Sequence, residues 1–166
     1  MTDDSDRTTP KRSGSAQRVR DYLSGHGLAH EIVTFDHSTK TAQMAADAMG
    51  CELGQIVKSL VFVAGSTPLV ALVPGDRRGD PVAIAAVAGR AEARIADADT
   101  VRSATGFAIG GVSPFDLPPG LLVLADESLA RFEVVYPAAG TPASMVRIGR
   151  ARLLELTGAR VARISQ

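Results

Sequence analysis

The sequence predicts an α+β domain: a mixed sheet built largely of hairpins, with helices packed around it. Three observations lead there. Strand-length runs rich in Val, Ile, Leu and Phe recur along the chain, as at 56–63 and 121–125. Between them lie short stretches opened by Ser, Thr or Asp and closed by Gly, which is how helices begin and end. The two kinds of segment follow neither a regular βαβ series nor an unbroken run of strands. At 166 residues, 45% apolar and 22% charged, the chain is read as one globular domain with a full core. Tryptophan is absent and aromatics make up 4%, so that core must come from Val, Ile, Leu and Ala.

Residues 1–15 are polar and without apolar periodicity, and are expected to form a disordered tail. Ser15 is placed to cap a helix from Ala16, whose Val19, Tyr22 and Leu23 share one face before Gly25 and Gly27 end it. Ala29 to Phe35 reads as a strand, followed by the polar loop Asp36 to Lys40. Thr39 or Thr41 caps a helix over 42–49, which stops at Gly50. Ile56 to Val63 and Pro68 to Val73 form a hairpin around Gly65-Ser66-Thr67.

After the turn-rich loop 74–80, a helix is expected over 82–88 with Gly89 as its stop. A brief strand follows at 93–96. Asp97 or Asp99 then caps a helix that ends at Gly106. Phe107 to Ile109 reads as an apolar strand that breaks at Gly110-Gly111. Strands are expected at 121–125, 132–136 and 145–148, a helix over 151–157, and a last strand at 161–164.

Eighteen basic residues balance eighteen acidic ones, which argues against strong non-specific nucleic-acid binding but leaves room for a local basic face. The excess from Arg147 onward (Arg147, Arg150, Arg152, Arg160 and Arg163 against Glu155), with Arg77 and Arg78, is the candidate for such a face. The single Cys51 excludes an intrachain disulfide and a cysteine-based zinc site. His26 and His30 lack a third ligand and read as surface residues, so no metal is expected. His37, in a loop between two elements, is the histidine worth following. No apolar run has membrane-spanning length and the first residues carry no signal core, so a cytoplasmic location away from membranes is expected.

Two stretches carry chemistry. In the apolar run 56–63, Lys58 is expensive to bury unless it has a partner or lines a cavity. Snorkelling at a strand end is the competing reading. In the stretch 107–115, Gly110 and Gly111 allow positive φ and close approach to the main chain, and Pro114 pushes Ser113 toward an extended conformation. Its competing reading is an ordinary bulge or turn. A third loop, 138–144, contains Gly140 and Thr141. There is no G-x-S-x-G elbow, no HExxH and no P-loop. One cation and several backbone N–H groups suit an anionic ligand or a developing oxyanion better than acid–base work.

The runs Ile56-Val57-Lys58-Ser59-Leu60-Val61-Phe62, Gly110-Gly111-Val112-Ser113-Pro114-Phe115 and Ala139-Gly140-Thr141-Pro142 together resemble the YbaK/prolyl-tRNA-synthetase-associated editing family, over residues 16–166. The resemblance implies a mostly antiparallel, barrel-like sheet surrounded by helices. It also implies a deacylase that hydrolyses mischarged aminoacyl-tRNA in trans, above all tRNA-Pro carrying a small amino acid, without a cofactor. It places Lys58, Gly110 and Gly111 in the catalytic centre. Phe35, His37, Thr39, Ser113, Pro114, Gly140, Thr141 and Met145 fall in the substrate pocket. Backbone donors would stabilise the oxyanion, and a ribose hydroxyl of the substrate would help to activate water. The implied partners are mischarged aminoacyl-tRNA and a prolyl-tRNA synthetase.

The cysteinyl-tRNA-directed members carry a tyrosine and an aspartate where Phe35 and Met145 stand here. The Ala-Gly-Thr-Pro loop instead resembles members acting on alanine, serine or threonine. Two other readings remain open at this stage. One is a non-catalytic module that binds an aminoacyl-adenosine-like ligand, tRNA or a synthetase. The other is a hydrolase with Ser113 as nucleophile, for which no base is visible.

Overall fold

The computed structural model describes residues 14–166. In chain order the elements are α1 (Ser15–Gly25), β1 (Ile32–Thr34), α2 (Ala42–Met49), β2 (Ile56–Ala64), β3 (Thr67–Pro74), α3 (Pro81–Ala88), β4 (Ala93–Ile95), α4 (Ala98–Thr105), β5 (Leu122–Asp126), β6 (Val134–Pro137), β7 (Ser144–Val146), β8 (Ile148–Gly149), α5 (Arg150–Thr157) and β9 (Arg160–Ala162). Most of the expected tail therefore lies outside the described residues. Ser15 is inside α1 rather than at its cap, a place taken by Gly14.

The helices begin and end by local chemistry. The Thr41 side chain accepts the Met44 N–H, Asp80 accepts those of Val82 and Ala83 ahead of Pro81, and Asp97 accepts that of Thr100. Each hydroxyl or carboxylate satisfies a first-turn donor that has no partner within its helix. The expected stops at Gly50, Gly89, Gly106 and Gly158 all stand directly after helix ends.

The sheet is mixed and curls into a half-barrel, with five α-helices among the described residues. Its backbone is the expected hairpin, paired antiparallel from Val57↔Pro74 to Ala64↔Thr67. The strand order is β8-β6-β2-β3-β5-β9, with β4 also on β2, and β1 pairs β7 separately. Three pairings are parallel: β2 with β6, β3 with β5, and β5 with β9.

Both faces of the hairpin are covered, which is why its strands read as nearly unbroken apolar runs. Val57, Val61, Val63, Val70 and Leu72 face α1, α4 and the buried Phe107 and Phe115. Phe62, Leu69, Ala71 and Val73 face Ile84 of α3 together with Leu124 and Ile164. Burying a side chain of this size is worth about 1.5–3 kcal/mol.

Four expectations are corrected. Ala29–Glu31 is a 3-10 turn, so the first strand is only β1. The strand expected over 145–148 is divided between β7, which pairs β1, and β8, which pairs β6. The last strand ends at Ala162 instead of reaching Ile164. Phe107 to Ile109 is not a strand but part of an irregular segment between α4 and β5. Its apolar residues plug the core instead of joining a ladder: Phe107 is fully buried and its N–H donates to Thr105 Oγ1 at 3.1 Å. Arg18 of α1 ties this segment down. Its guanidinium lies 4.3 Å from the Phe107 ring centre, donates to Thr105 O at 3.1 Å, and pairs with the Asp116 carboxylate at 2.8 Å. Among the described residues no helix is long and apolar enough to cross a membrane.

Candidate functional site

One edge of β2 is fully occupied by β3. The other is shared by two short strands that do not meet. β6 pairs with its start, at Ile56↔Tyr136 and Val57↔Pro137. β4 pairs with its end, from Phe62↔Ile95 to Ala64↔Ala93, and the Ala96 N–H reaches Val61 O at 2.9 Å. Neither ladder extends over Lys58, Ser59 and Leu60. A cavity of about 320 Å³ opens at this gap.

The gap residues form the floor of the cavity. One wall is the end of β4 with Ile95 and Ala96, and another is Ile109, Gly110 and Val112 from the segment after α4. Thr141, Pro142 and Met145 close a third side, and Thr39 to Ala42 with Ala45 a fourth. The last two sides are latched together. The Thr39 N–H and Oγ1 each donate to Pro142 O at 2.8 Å, and the Phe35 N–H donates to Ala143 O at 2.7 Å.

Strand alternation sends consecutive residues of the floor to opposite faces. Lys58 shares its face with Leu60 and Phe62, and its half-buried ammonium donates to the Arg77 carbonyl. Burial pushes the Lys58 pKa below the ordinary lysine value. Nearby Asp76 works against this, and Arg78 adds to it. Asp76 is itself held below the usual carboxylate range by two hydrogen bonds from Arg131, at 2.8 and 2.9 Å. Ser59 shares the other face with Val57 and Val61. Among the described residues, its Oγ is the buried side-chain oxygen or nitrogen without a hydrogen-bond partner. Leaving such a group unpaired costs about 1–3 kcal/mol, which sets this serine apart from the other polar residues of the sheet.

Five of the residues singled out in the sequence meet at this cavity: Lys58, Gly110, Thr39, Thr141 and Met145. Six do not line it. Gly111 is buried, its N–H is already committed to Ala108 O at 3.0 Å, and a Cβ there would meet Gly140 O at 3.5 Å. Gly140 turns its back on the cavity and packs on the first turn of α1. Ser113 and Pro114 are buried, and Ser113 Oγ accepts the Phe115 N–H at 3.3 Å, as a turn serine does. Phe35 packs behind the wall with Ala45 and Met145, and His37 is exposed on its loop. The expected pair of bare glycine corners is thus reduced to Gly110 alone.

Sequence reasoning passed over Ser59, although a second polar residue beside Lys58 in an apolar strand was a visible signal. It also passed over Ile95 and Ile109, which stand at the mouth 65% and 62% exposed and so offer apolar surface for a flat group to pack on. The lining contains no Asp, Glu, His or Cys. Its polar groups are lysines, hydroxyls and main chain. Such a site binds and polarises; it holds no side chain suited to be a general base near neutral pH. Among the described residues no cluster of three potential metal ligands occurs.

Residues 36–156 match the model of the aminoacyl-tRNA editing domain family. A solved structure described as a candidate trans-editing enzyme for prolyl-tRNA synthetase is 42% identical. It superposes with a TM-score of 0.84, covering 92% of this chain and 97% of its own. YwhH of Bacillus subtilis (strain 168), which carries no assigned function, is 31% identical over 148 residues, 89% of this chain and 94% of its own. EbsC of Enterococcus faecalis (strain ATCC 700802 / V583), described as a candidate Cys-tRNA(Pro)/Cys-tRNA(Cys) deacylase, is 26% identical over 126 residues, 75% of this chain and 77% of its own.

Proposed function

The chain belongs to the aminoacyl-tRNA editing domain family, and on that premise we propose that it hydrolyses mischarged aminoacyl-tRNA in trans, with tRNA-Pro bearing a small amino acid as its substrate. One observation carries this reading. The cavity is lined by Lys40 and Lys58, hydroxyl residues and apolar walls, and by no acid, histidine or thiol. That inventory fits a substrate which brings its own reactivity.

An aminoacyl ester is such a substrate. Water attacks the ester carbonyl carbon and gives up a proton to the neighbouring ribose hydroxyl, which hands its own proton to the departing ribose oxygen. The carbon–oxygen bond to the ribose then breaks, and the ribose oxygen leaves with a proton. The products are a free amino acid and a free 3′ end. The protein's part is to hold the ester still, to exclude other nucleophiles and to stabilise the oxyanion. We assign that stabilisation to the Gly110 main chain on the cavity wall and to Ser59 Oγ buried beneath the floor, and we assign Lys58 to holding the terminal nucleotide through its phosphate. Ile95 and Ile109 offer the adenine an apolar seat. At about 320 Å³ the cavity is at the small end for ligand sites, which suits alanine, serine or threonine.

The test is a panel of tRNA-Pro charged with alanine, serine, threonine or cysteine, followed by release of the amino acid. At least one small amino acid is expected to be released, and Lys58→Ala is expected to slow that release about 100-fold, the scale of a substrate held out of place. Silence on the whole panel ends the reading. In that case, tight binding of an aminoacyl-adenosine mimic without turnover would identify a binding module instead.

A further inference from the structure

We propose that a basic trough beside the cavity is the path of the RNA 3′ strand, which leaves the active site past Lys58 and runs between Arg77, Arg78 and Arg163. This rests on the deacylase reading and adds the surface that such a substrate needs.

The trough is drawn from three neighbouring depressions that share lining residues. Lys58 belongs both to the cavity and to a second depression of about 350 Å³ formed with Gly75, Arg77, Arg78 and Gln166. Arg77 belongs in turn to a third, of about 400 Å³, with Ser128, Arg131 and Arg163. A single tie links the first two: the Lys58 ammonium donates to the Arg77 carbonyl.

The fold explains why distant arginines meet there. The segment after β9 is laid antiparallel along residues 78–80. The Arg78 N–H donates to Gln166 O at 3.0 Å, the Gln166 N–H to Arg78 O at 2.8 Å, and the Asp80 N–H to Ile164 O at 2.8 Å. Asp126 anchors the same segment by accepting the Ile164 N–H at 2.9 Å. Arg163 is thereby brought beside Arg77.

The local acids are mostly spent. Asp76 is held by Arg131 through two hydrogen bonds, and Asp126 by Ser128 and the Ile164 N–H. Glu127 lines the same depression as Arg77 and Arg163 and forms no ion pair among the described residues. Arg77, Arg78 and Arg163 are exposed and have no ion-pair partner among the described residues. Two of the other arginines favoured from sequence are occupied elsewhere: Arg152 pairs with Glu155 at 2.6 Å, and Arg150 donates to Phe132 O at 2.9 Å. In a chain of zero formal net charge, three unpaired guanidinium groups along one trough leading from the cavity match a chain of phosphates.

The test separates binding from hydrolysis. An uncharged RNA hairpin ending in single-stranded CCA is titrated with the full chain by fluorescence anisotropy over a range of salt. The R77Q/R78Q/R163Q triple variant is expected to bind at least tenfold more weakly and to lower the salt slope by roughly two, three phosphate contacts at about 0.7 each. A triple lysine variant, which keeps the charge, is expected to recover most of the affinity. Affinity within twofold of the parent for the glutamine triple overturns the proposal, as does an equal loss from R147Q/R160Q. If the RNA binds through these arginines but no mischarged tRNA is hydrolysed, the deacylase reading fails and the trough stands. Hydrolysis that ignores the arginines has the opposite meaning.

Discussion

Gly110 and Gly140 sit in loops of similar composition, and both hold positive φ, at 86° and 95°. Their surroundings are opposite. A Cβ added to Gly110, which lines the cavity, meets nothing within 4 Å. A Cβ added to Gly140 lands 2.5 Å from Ser15 O and 2.9 Å from a Val19 methyl group. One glycine has open space beside it; the other lets two pieces of chain touch. A small residue in a loop therefore states that something comes close, and only the fold tells whether it is substrate or backbone.

The sharpest way to break this contrast is Gly140→Ala. The new methyl group collides with main chain that cannot step aside, at a φ that alanine disfavours. A loss of at least about 3 kcal/mol in unfolding free energy is expected, read from urea or thermal melts. A variant as stable as the parent would show that the loop and α1 move apart freely, and the two glycines would then be equivalent.

Gly110→Ala should behave differently. Only backbone strain is added, about 1–2 kcal/mol, with no collision. If the Gly110 main chain serves the substrate, a strained backbone on the cavity wall should lower release of the amino acid from tRNA-Pro tenfold or more while the fold persists. If the melts show Gly110→Ala to be the more damaging of the two, the assignment of roles is reversed.

The same contrast explains what the sequence disclosed and what it hid. Helix starts at Thr41 and Asp97 were legible because these side chains act on N–H groups three residues away, whereas the cap at Asp80 was read as part of a loop. The hairpin was legible because Gly65 and its neighbours sit between two apolar runs. The pairings of β2 with β6 and of β3 with β5 join residues far apart in the chain, so no local signal announces them. Phe107 to Ile109 was misread for a related reason. An apolar run that plugs a core and one that joins a ladder have the same composition, and Arg18, 89 positions earlier than Phe107, helps decide between them. At the site, Lys58 stood out because a buried ammonium is costly. Gly111, Gly140, Ser113 and Pro114 were grouped with it because close packing against backbone and close approach by a ligand need the same small residues.

Ser59 sharpens the comparison furthest, because there stability and activity should move in opposite directions. Its hydroxyl is buried without a partner, so the folded protein carries a desolvated group that nothing compensates. Removing it in Ser59→Ala leaves no new orphan behind. Stability is expected to stay level or to rise by up to about 1 kcal/mol. If the hydroxyl binds the reacting ester, the same variant loses one hydrogen bond that forms only with substrate, and kcat/KM falls about tenfold. Should the loss be confined to kcat, the bond belongs to the transition state; should it be confined to KM, the bond belongs to substrate binding. Ser59→Thr keeps the oxygen and should recover part of the rate. A serine serving packing alone would give the reverse pair of results: a less stable Ser59→Ala protein that turns over tRNA at the parental rate.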